Sequence, residues 1–237
     1  MGQAIMDLIS QSDELALAAG IDREVDGTES YPAYDAFDKC PVTGDVLIDF
    51  SHHSCVLGVL DYCVLTNTPV VIATTALGDK ERSAMEAASE SIPVFNSFNM
   101  SLGINVIAKL METLVPLLEK EFNVEIIEKH HRGKKDSPSG TSLLLADAVN
   151  EACQTKKTYI YGRHGKDDSC EMTDLAIHAV RGGTIPGEHT ILFAGEDEMI
   201  EITHTALSRN IFARGSLKAA AFIARCEKGL YSMKNLV

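Results

Sequence analysis

Short apolar runs and amphipathic segments alternate along the first hundred residues. The apolar runs are typical of strands buried on both faces, and the segments between them have helical spacing. The predicted strands are residues 15–21, 46–50, 70–74 and a run that begins at 93. The predicted helices are residues 2–10, 54–67 and 80–91. This alternation predicts a parallel sheet with helices on both faces, a doubly wound α/β arrangement.

The pattern changes after residue 99. The predicted helices beyond it are residues 101–118, 140–152 and 211–228, and a strand is predicted over residues 124–128. Residues 174–180, 189–194 and 199–205 alternate as antiparallel strands of a mixed sheet do. We therefore predict two domains: a Rossmann-like domain of residues 1–99 and 211–237, and a second α+β domain of residues 100–210.

Composition narrows the class of protein. The 237 residues are 45% hydrophobic and 23% charged, which is ordinary for a soluble globular protein. The net charge is −13, from 34 acidic and 21 basic residues. Nucleic-acid and anionic-membrane surfaces need clustered lysine and arginine, so neither partner is expected.

The sequence lacks several motifs that would indicate a membrane, a secretory route or a metal site. No apolar run approaches the roughly 20 residues that span a bilayer, and the first residues lack the features of a secretory signal. The six cysteines are scattered without a C-x-x-C pair or a metal-type histidine spacing. We predict a cytoplasmic protein with reduced thiols and no metal site.

The run EKHHRGKKDSPSGT, residues 128–141, carries the strongest candidate chemistry. Adjacent residues of an extended chain point in opposite directions, so one of His130 and His131 can face a pocket while the other braces it. Arg132, Lys134 and Lys135 add positive charge. Such a stretch taken alone is also typical of a solvated basic loop.

The end of the same run predicts a helix start. Pro138 fixes a turn, Ser139 is a suitable cap, and Gly140 allows a ligand to approach the backbone closely. A helix N-terminus presents N–H groups and a partial positive charge, which favour a carboxylate. A basic loop that leads into such a helix start indicates a pocket for a small dicarboxylate.

This run resembles the signature of the 4-hydroxy-tetrahydrodipicolinate reductase family, also called dihydrodipicolinate reductases. The resemblance covers essentially the whole chain. The other matching segments, in the order in which the family has them, are residues 72–75, 99–105, 187–190, 201–204 and 208–209. At Gly133 the family often has another side chain, and glycine loosens the loop there.

The resemblance implies an enzyme of lysine and diaminopimelate biosynthesis. Its members reduce a small, dianionic, cyclic substrate, with loss of water and hydride from NADH or NADPH, and the second domain's sheet builds a homotetramer. By resemblance His130 is the proton donor/acceptor and Lys134 the second proton donor. His131 would bind the substrate carboxylates together with Gly140 and Thr141.

The cofactor residues are predicted partly from position and partly from the resemblance. Asp22 ends a predicted strand about 20 residues beyond the usual glycine-rich loop, where an acid takes the ribose hydroxyls. An acid favours NADH, yet Arg23 beside it suits a 2′-phosphate, so both cofactors stay open. By resemblance the other cofactor residues are Ala73, Thr74, Thr75, Ser97, Phe98, Asn99 and Met100.

The beginning of the chain departs from the family pattern. MGQAI matches the end of the family's glycine-rich run, and the preceding strand with most of the glycine loop is absent from the sequence. Losing a central strand leaves its two neighbours without hydrogen-bond partners, so we expect an N-terminally truncated domain with weak cofactor binding. A non-catalytic remnant that binds dicarboxylates or only oligomerises is the alternative.

Other features leave alternatives open. A relative of homoserine or aspartate-semialdehyde dehydrogenase would explain the first domain but not residues 128–141. Residues 181–183 and 187–189 either line the substrate site or shape turns between strands. The histidines on predicted strands are expected to be structural: His178, His189 and His204.

Overall fold

The computed structural model describes residues 1–166 and 169–237. Over these residues the α-helices are α1 (Gly2–Ile9), α2 (Val56–Thr66), α3 (Asp79–Ser89), α4 (Leu102–Leu118), α5 (Gly140–Ala152) and α6 (Asn210–Ile223). The strands are β1 (Gly20–Ile21), β2 (Ala33–Tyr34), β3 (Leu47–Asp49), β4 (Val70–Ile72), β5 (Pro93–Asn96), β6 (Asn123–His130), β7 (Thr158–Tyr161), β8 (Asp174–Arg181), β9 (Gly187–Ala194), β10 (Met199–Ala206) and β11 (Gly229–Tyr231). No described helix is both long and apolar enough to cross a bilayer.

The chain divides into two compact units. Unit 1 consists of residues 1–101 and 209–236, and unit 2 of residues 102–208 with Val237. Each unit has its own hydrophobic core, because each contains a sheet whose apolar face is covered by helices.

The main sheet of unit 1 is parallel, with strand order β11-β5-β4-β3. All three residues of β4 are buried, as the apolar run predicts for a central strand. Val70 and Ile72 pack with α2 and α3 in one core cluster. On strand β5, Phe95 meets Phe222 of α6 edge to face, with ring centroids 6.3 Å apart. Helices therefore lie on both faces, which confirms the doubly wound arrangement.

Strands β1 and β2 form a separate parallel pair in unit 1. The predicted strand over residues 15–21 was too long, since only Gly20 and Ile21 pair, with Ala33 and Tyr34. Strand β2 was not predicted, because two residues show no periodicity. Strands β1 and β3 share no ladder in the described structure.

The end of unit 1 corrects another prediction. Helix α6 stops at Ile223 rather than continuing to 228, and β11 follows. Gly229 has φ +153°, a conformation that L side chains rarely adopt, and pairs with Pro93 of β5. Pairing with the sheet therefore overrides the helical pattern of the last residues. Within α6, a Cβ on Gly215 would lie 1.6 Å from the Met100 carbonyl oxygen, so only glycine permits this close approach.

Unit 2 contains the predicted mixed sheet, with strand order β10-β9-β6-β8-β7. Strand β6 runs parallel to β8 and antiparallel to β9. Burial alternates perfectly along β6, so every second side chain faces the core that α4 and α5 cover. Strand β7 was missed by the sequence analysis. This sheet places the last residues of β6, Glu128 and His130, on its helix-covered face.

Candidate active site at the end of strand β6

Three strands bring polar side chains together where β6 ends. Glu128 lies opposite His189 of β9, and His130 lies opposite Gly187 of β9 and Arg181 of β8. Glu128 and His130 share a face because successive strand residues alternate between faces. The site is therefore built by the register of the sheet, and the loop that follows β6 completes it.

Glu128 is fully buried and has three polar neighbours. Its Oε1 accepts hydrogen bonds from Arg181 Nη2 at 2.8 Å and from the Ser139 backbone N–H at 2.9 Å. Its Oε2 faces His130 Nδ1, and the two groups form an ion pair when the ring is protonated. Burial raises the pKa of Glu128, but the hydrogen bonds from Arg181 and Ser139 and the charge of His130 outweigh it, so the net pKa is lowered. Glu128 is therefore an anion at neutral pH.

His130 is 9% exposed and lies between charges of both signs. Burial lowers its pKa, Glu128 raises it, and the positive charges of Lys134 and Arg181 lower it again, with a net lowering. The ring is therefore mainly neutral at pH 7 before any anion binds. Its Nε2 lies beside Gly187, where a Cβ would come within 3.2 Å, so the glycine leaves room at this nitrogen.

His189 joins the same cluster from strand β9, opposite Glu128. The edge of one ring meets the face of the other in the His189–His130 pair, with centroids 5.0 Å apart. Its Nε2 is 2.9 Å from the Ser139 hydroxyl, which also caps α5 by accepting from the Ser142 N–H. Burial, with the positive charge of His130, lowers the pKa of His189 to about 4, so this ring stays neutral. His189 therefore ties the start of α5 to the His130 ring.

Lys134 and the start of α5 already attract an anion within the chain. Lys134 Nζ lies 2.8 and 2.9 Å from the two carboxylate oxygens of Asp136. Burial raises the pKa of Asp136, but Lys134 and the backbone N–H of Gly140 outweigh it and lower the pKa. Arg181 holds this loop by donating to the Asp136 carbonyl at 2.7 Å. Lys134, the predicted second proton donor, thus pairs with a carboxylate of its own loop here.

His131 points away from this cluster, as alternation predicts. It is exposed and lines an open pocket of about 500 Å³ with Arg132 and residues 183–186. Thr141 occupies the first turn of α5. The structure thus brings His130, Lys134 and Gly140 to one place, with His131 beside it on the other side of the chain.

Glu128, His130 and His189 also offer ligand atoms that all lie within 4.8 Å of one another. Spacing along the sequence did not reveal this group, because the β6–β9 register creates it. A cation there would compete with the Arg181 guanidinium and the Ser139 N–H for Glu128. The arrangement fits a hydrogen-bonded acid–base network better than a metal centre.

In unit 1, the predicted cofactor residues follow the carboxyl ends of parallel strands, where such sheets bind dinucleotides. Ala73 and Thr74 are buried directly after β4, and Thr75 is exposed. The Thr74 hydroxyl donates to Asp49 Oδ2 at 2.7 Å and also lies 3.0 Å from the Ser51 carbonyl oxygen. These contacts fix the backbone after β4 and leave Thr75 available to a ligand.

Residues 97–100 follow β5 in the same way. Ser97, Asn99 and Met100 are buried, whereas the Phe98 side chain is 58% exposed. The Arg82 guanidinium carbon lies 5.4 Å from the Phe98 ring centroid, which orients an otherwise open aromatic face. The segment therefore offers a flat apolar surface on a rigid backbone.

Asp22 and Arg23 follow β1 and are both exposed. Arg23 Nη2 lies 3.2 Å from Cys55 Sγ, a weak contact that a phosphate would readily replace. Carboxylate, guanidinium, threonine and an open aromatic face are the groups that a dinucleotide needs for its ribose, phosphate and base. The residues present thus fit a nicotinamide dinucleotide.

Sequence reasoning missed the support of His130. It treated Glu128 only as the end of a strand, Ser139 as a cap, and Arg181 as part of a turn or lining segment. The alternation of Glu128 and His130 on one strand was the available signal for the first of these. Arg181 and His189 are distant from Glu128 in the sequence, and only the register of the sheet places them beside it.

The parallel sheet of unit 1 and the acid–base cluster of unit 2 define an oxidoreductase that uses a nicotinamide cofactor. Two family models divide the chain between them. Residues 1–100 match the model described as dihydrodipicolinate reductase, N-terminus, and residues 103–237 match the model of its C-terminus. The chain belongs to the dihydrodipicolinate reductase family.

Individual relatives agree with this membership. The chain is 44% identical over 237 residues to the 4-hydroxy-tetrahydrodipicolinate reductase of Caldanaerobacter subterraneus subsp. tengcongensis, covering 100% of this chain and 94% of that one. It is 42% identical to the same enzyme of Clostridium tetani, over 98% and 91% of the two chains. The dipicolinate-bound dihydrodipicolinate reductase of Paenisporosarcina sp. TG-14 has the same fold, with a TM-score of 0.81, 23% identity and coverage of 100% and 95%.

Proposed function

We propose that this chain reduces 4-hydroxy-tetrahydrodipicolinate to tetrahydrodipicolinate with NADH or NADPH, in lysine and diaminopimelate biosynthesis. The observation that carries the proposal is the juxtaposition, at the end of β6, of a buried His130–Glu128 pair with Lys134 and the start of α5. Such a site offers a histidine that can exchange a proton beside an anion-binding helix start.

In this proposal the substrate carboxylates bind where Asp136 now lies. Lys134 turns its ammonium from Asp136 to the substrate, and Gly140 and Thr141 contribute the backbone of the helix start. His131 contacts the ligand from the other side of the chain. The dianion brings negative charge to a ring surrounded by positive groups, so its binding raises the pKa of His130 and converts it to an acid.

The chemistry then needs proton transfers at two positions. Loss of the ring hydroxyl as water leaves a conjugated ring, which takes a hydride on one carbon and a proton on its neighbour. When bound, the nicotinamide cofactor supplies that hydride. Lys134, the second proton donor, protonates the departing hydroxyl and takes a proton back from the adjacent ring carbon, so that water leaves and the ammonium is restored. His130 then gives the proton from Nε2 to the carbon beside the one that accepts the hydride and becomes neutral, while the charge of Lys134 stabilises the developing anion.

The two domains divide these tasks in the proposal. Residues 1–99 and 211–237 bind the dinucleotide, and residues 100–210 bind substrate. Asp22 would take the adenosine ribose hydroxyls of NADH, and Arg23 the 2′-phosphate of NADPH. The remaining proposed cofactor residues follow β4 and β5: Ala73, Thr74, Thr75, Ser97, Phe98, Asn99 and Met100.

The first prediction is direct turnover. Mixing the chain with freshly prepared 4-hydroxy-tetrahydrodipicolinate and either NADH or NADPH should consume the reduced cofactor, measured by the loss of its absorbance. Arg23→Ala should raise KM for NADPH more than for NADH, because only NADPH carries the 2′-phosphate. Calorimetric titration with NADH is the companion measurement. Cofactor binding without turnover would contradict the proposed reaction, and failure to bind either cofactor would favour a non-catalytic dicarboxylate-binding module.

We also infer a cytoplasmic homotetramer, joined through the mixed sheet. The cytoplasmic inference is supported by six cysteines that are all free. The tetramer inference is supported by the sheet face opposite α4 and α5, where Val180 and Met199 are 44% and 68% exposed. Apolar side chains at such positions indicate a surface that another chain covers.

The second prediction concerns this interface. Light scattering coupled to size exclusion should give four times the chain mass, and Met199→Asp should reduce it because a charge would enter an apolar contact. Leu65→Asp is the matched control, since Leu65 is 84% exposed on α2 of unit 1. A monomeric wild-type chain would contradict the tetramer, and a tetrameric Met199→Asp variant would contradict this interface.

A further inference from the structure

We propose that Glu128 is the positioning residue of this site: it holds the His130 imidazole by Nδ1, so that Nε2 is the nitrogen that exchanges a proton with the substrate. This proposal rests on the proposed function, because it assigns a role within the same reaction. The hydrogen that it places on Nδ1 of the resting imidazole can be measured without substrate.

Glu128 is held in one position. It is fully buried, and the two hydrogen bonds to its Oε1 come from different parts of the unit. Arg181 belongs to β8, and the Ser139 N–H stands at the cap of α5. An anion fixed from two elements presents its second oxygen in one direction, and His130 Nδ1 lies in that direction.

Glu128 also determines which nitrogen of the His130 ring exchanges its proton. A carboxylate oxygen only accepts, so Nδ1 keeps its hydrogen whether the ring is neutral or charged. The proton that leaves or arrives must then be on Nε2. Gly187 is the neighbour of this nitrogen on β9, and it presents no side chain, so Nε2 has the space that Nδ1 lacks.

The charged and titratable groups around the His130 ring come from several elements. Lys134 from the loop and Arg181 from β8 oppose a positive imidazole. His189 from β9 is held neutral, and its neighbour His204 on β10 has its own pKa lowered by burial. Glu128 is therefore the negative group that favours imidazolium against these neighbours. Removing its charge alone should disfavour the acid form of His130.

The test uses Glu128→Gln, which keeps the shape and removes the charge. We expect kcat to fall by about 10²-fold, within the range that a general acid contributes, while KM changes little. The sign of the pH effect is fixed by the charge: imidazolium loses stabilisation, its pKa falls, and the alkaline loss of kcat moves to lower pH. Glu128→Asp keeps the charge and should leave that limb near its wild-type position despite a lower kcat.

Glu125→Gln is the matched control. Glu125 lies on the same strand and is also ion-paired, with Arg163 at 2.9 Å and His178 at 2.6 Å, but it faces the other side of the sheet. Loss of the Glu125 ion pairs should lower the stability of the fold without moving the alkaline limb of the kcat profile. If Glu128→Gln and Glu125→Gln shift the limb equally, or neither shifts it, Glu128 is only structural and the proposal fails.

A measurement on the wild-type protein keeps the proposal independent of how Glu128→Gln folds. Nitrogen NMR of the neutral His130 ring, with ¹⁵N-labelled histidine, should show the hydrogen on Nδ1 and titration at Nε2. The opposite tautomer would overturn the positioning role even if turnover is normal. The Nδ1–H tautomer in a protein that fails to reduce the substrate would instead refute the proposed reaction and leave the positioning of the ring intact.

Discussion

Replacing His130 with glutamine should lower kcat by about 10²–10⁴-fold, the range that positioned general acids contribute, and change KM little. Glutamine has no group that titrates near neutral pH, so the proton that accompanies hydride addition must come from water. The fold should survive, because Glu128 keeps its hydrogen bonds from Arg181 and the Ser139 N–H. Steady-state kinetics over a range of pH would measure the loss, and the variant's alkaline limb should disappear with the ring.

His178→Gln is the control for this variant. His178 lies on β8, contacts Glu125 at 2.6 Å, and is 33% exposed on the opposite face of the same sheet. The substitution removes a strand histidine with a carboxylate partner, as His130→Gln does, but not one near the proposed substrate. Equal loss of kcat in both variants would show that the sheet, rather than the acid, had been damaged, and normal turnover of His130→Gln would refute its role.

How much of this site the sequence could predict depends on the distance between its parts along the chain. Glu128 and His130 are two residues apart on one strand, so alternation predicts a shared face. Lys134 and Gly140 follow within the same run, where a turn and a cap signal a helix start. These are local relations, and sequence patterns report local relations.

The support of His130 could not be predicted in the same way. His189 reaches Glu128 because β9 pairs with β6 in one register, and a slip by one residue would turn it to the other face. Arg181 depends likewise on the β6–β8 register. Nothing in the alternation of each strand fixes its register with another, so the sequence left His189 as an ordinary strand histidine.

The missed strands have a related cause. Strands β2 and β11 are two and three residues long, too short to show a period. Residues 224–228, which the sequence pattern assigned to the last helix, form turns and irregular backbone instead, and Gly229 begins β11 with φ +153°. These short strands form because a neighbouring strand provides hydrogen bonds. The local sequence does not show which strand that neighbour is, because the pairing arises only in the folded sheet.

Lys134→Ala should lower kcat/KM by about 10²–10³-fold, with effects on both kcat and KM. The kcat part reflects loss of the second proton donor and of the positive charge that stabilises the developing anion. The KM part follows from Asp136, which is paired with Lys134 at 2.8 Å and whose pKa is lowered chiefly by that lysine and also by the backbone of Gly140 at the start of α5. Without the lysine, Asp136 remains at the helix start as an unneutralised competitor of the substrate carboxylate.

The double variant Lys134→Ala/Asp136→Asn separates these two parts. Removing the Asp136 charge should bring KM back towards its wild-type value, because the helix start is again open to an anion. It cannot restore kcat. Lys135→Ala, one position along and exposed, is the charge-matched control and should cost at most a few-fold. If Lys134→Ala lowers kcat/KM no more than Lys135→Ala does, Lys134 contributes only to the overall positive charge of the loop. If the double variant recovers kcat as well as KM, the lysine only neutralises Asp136 and is not a proton donor.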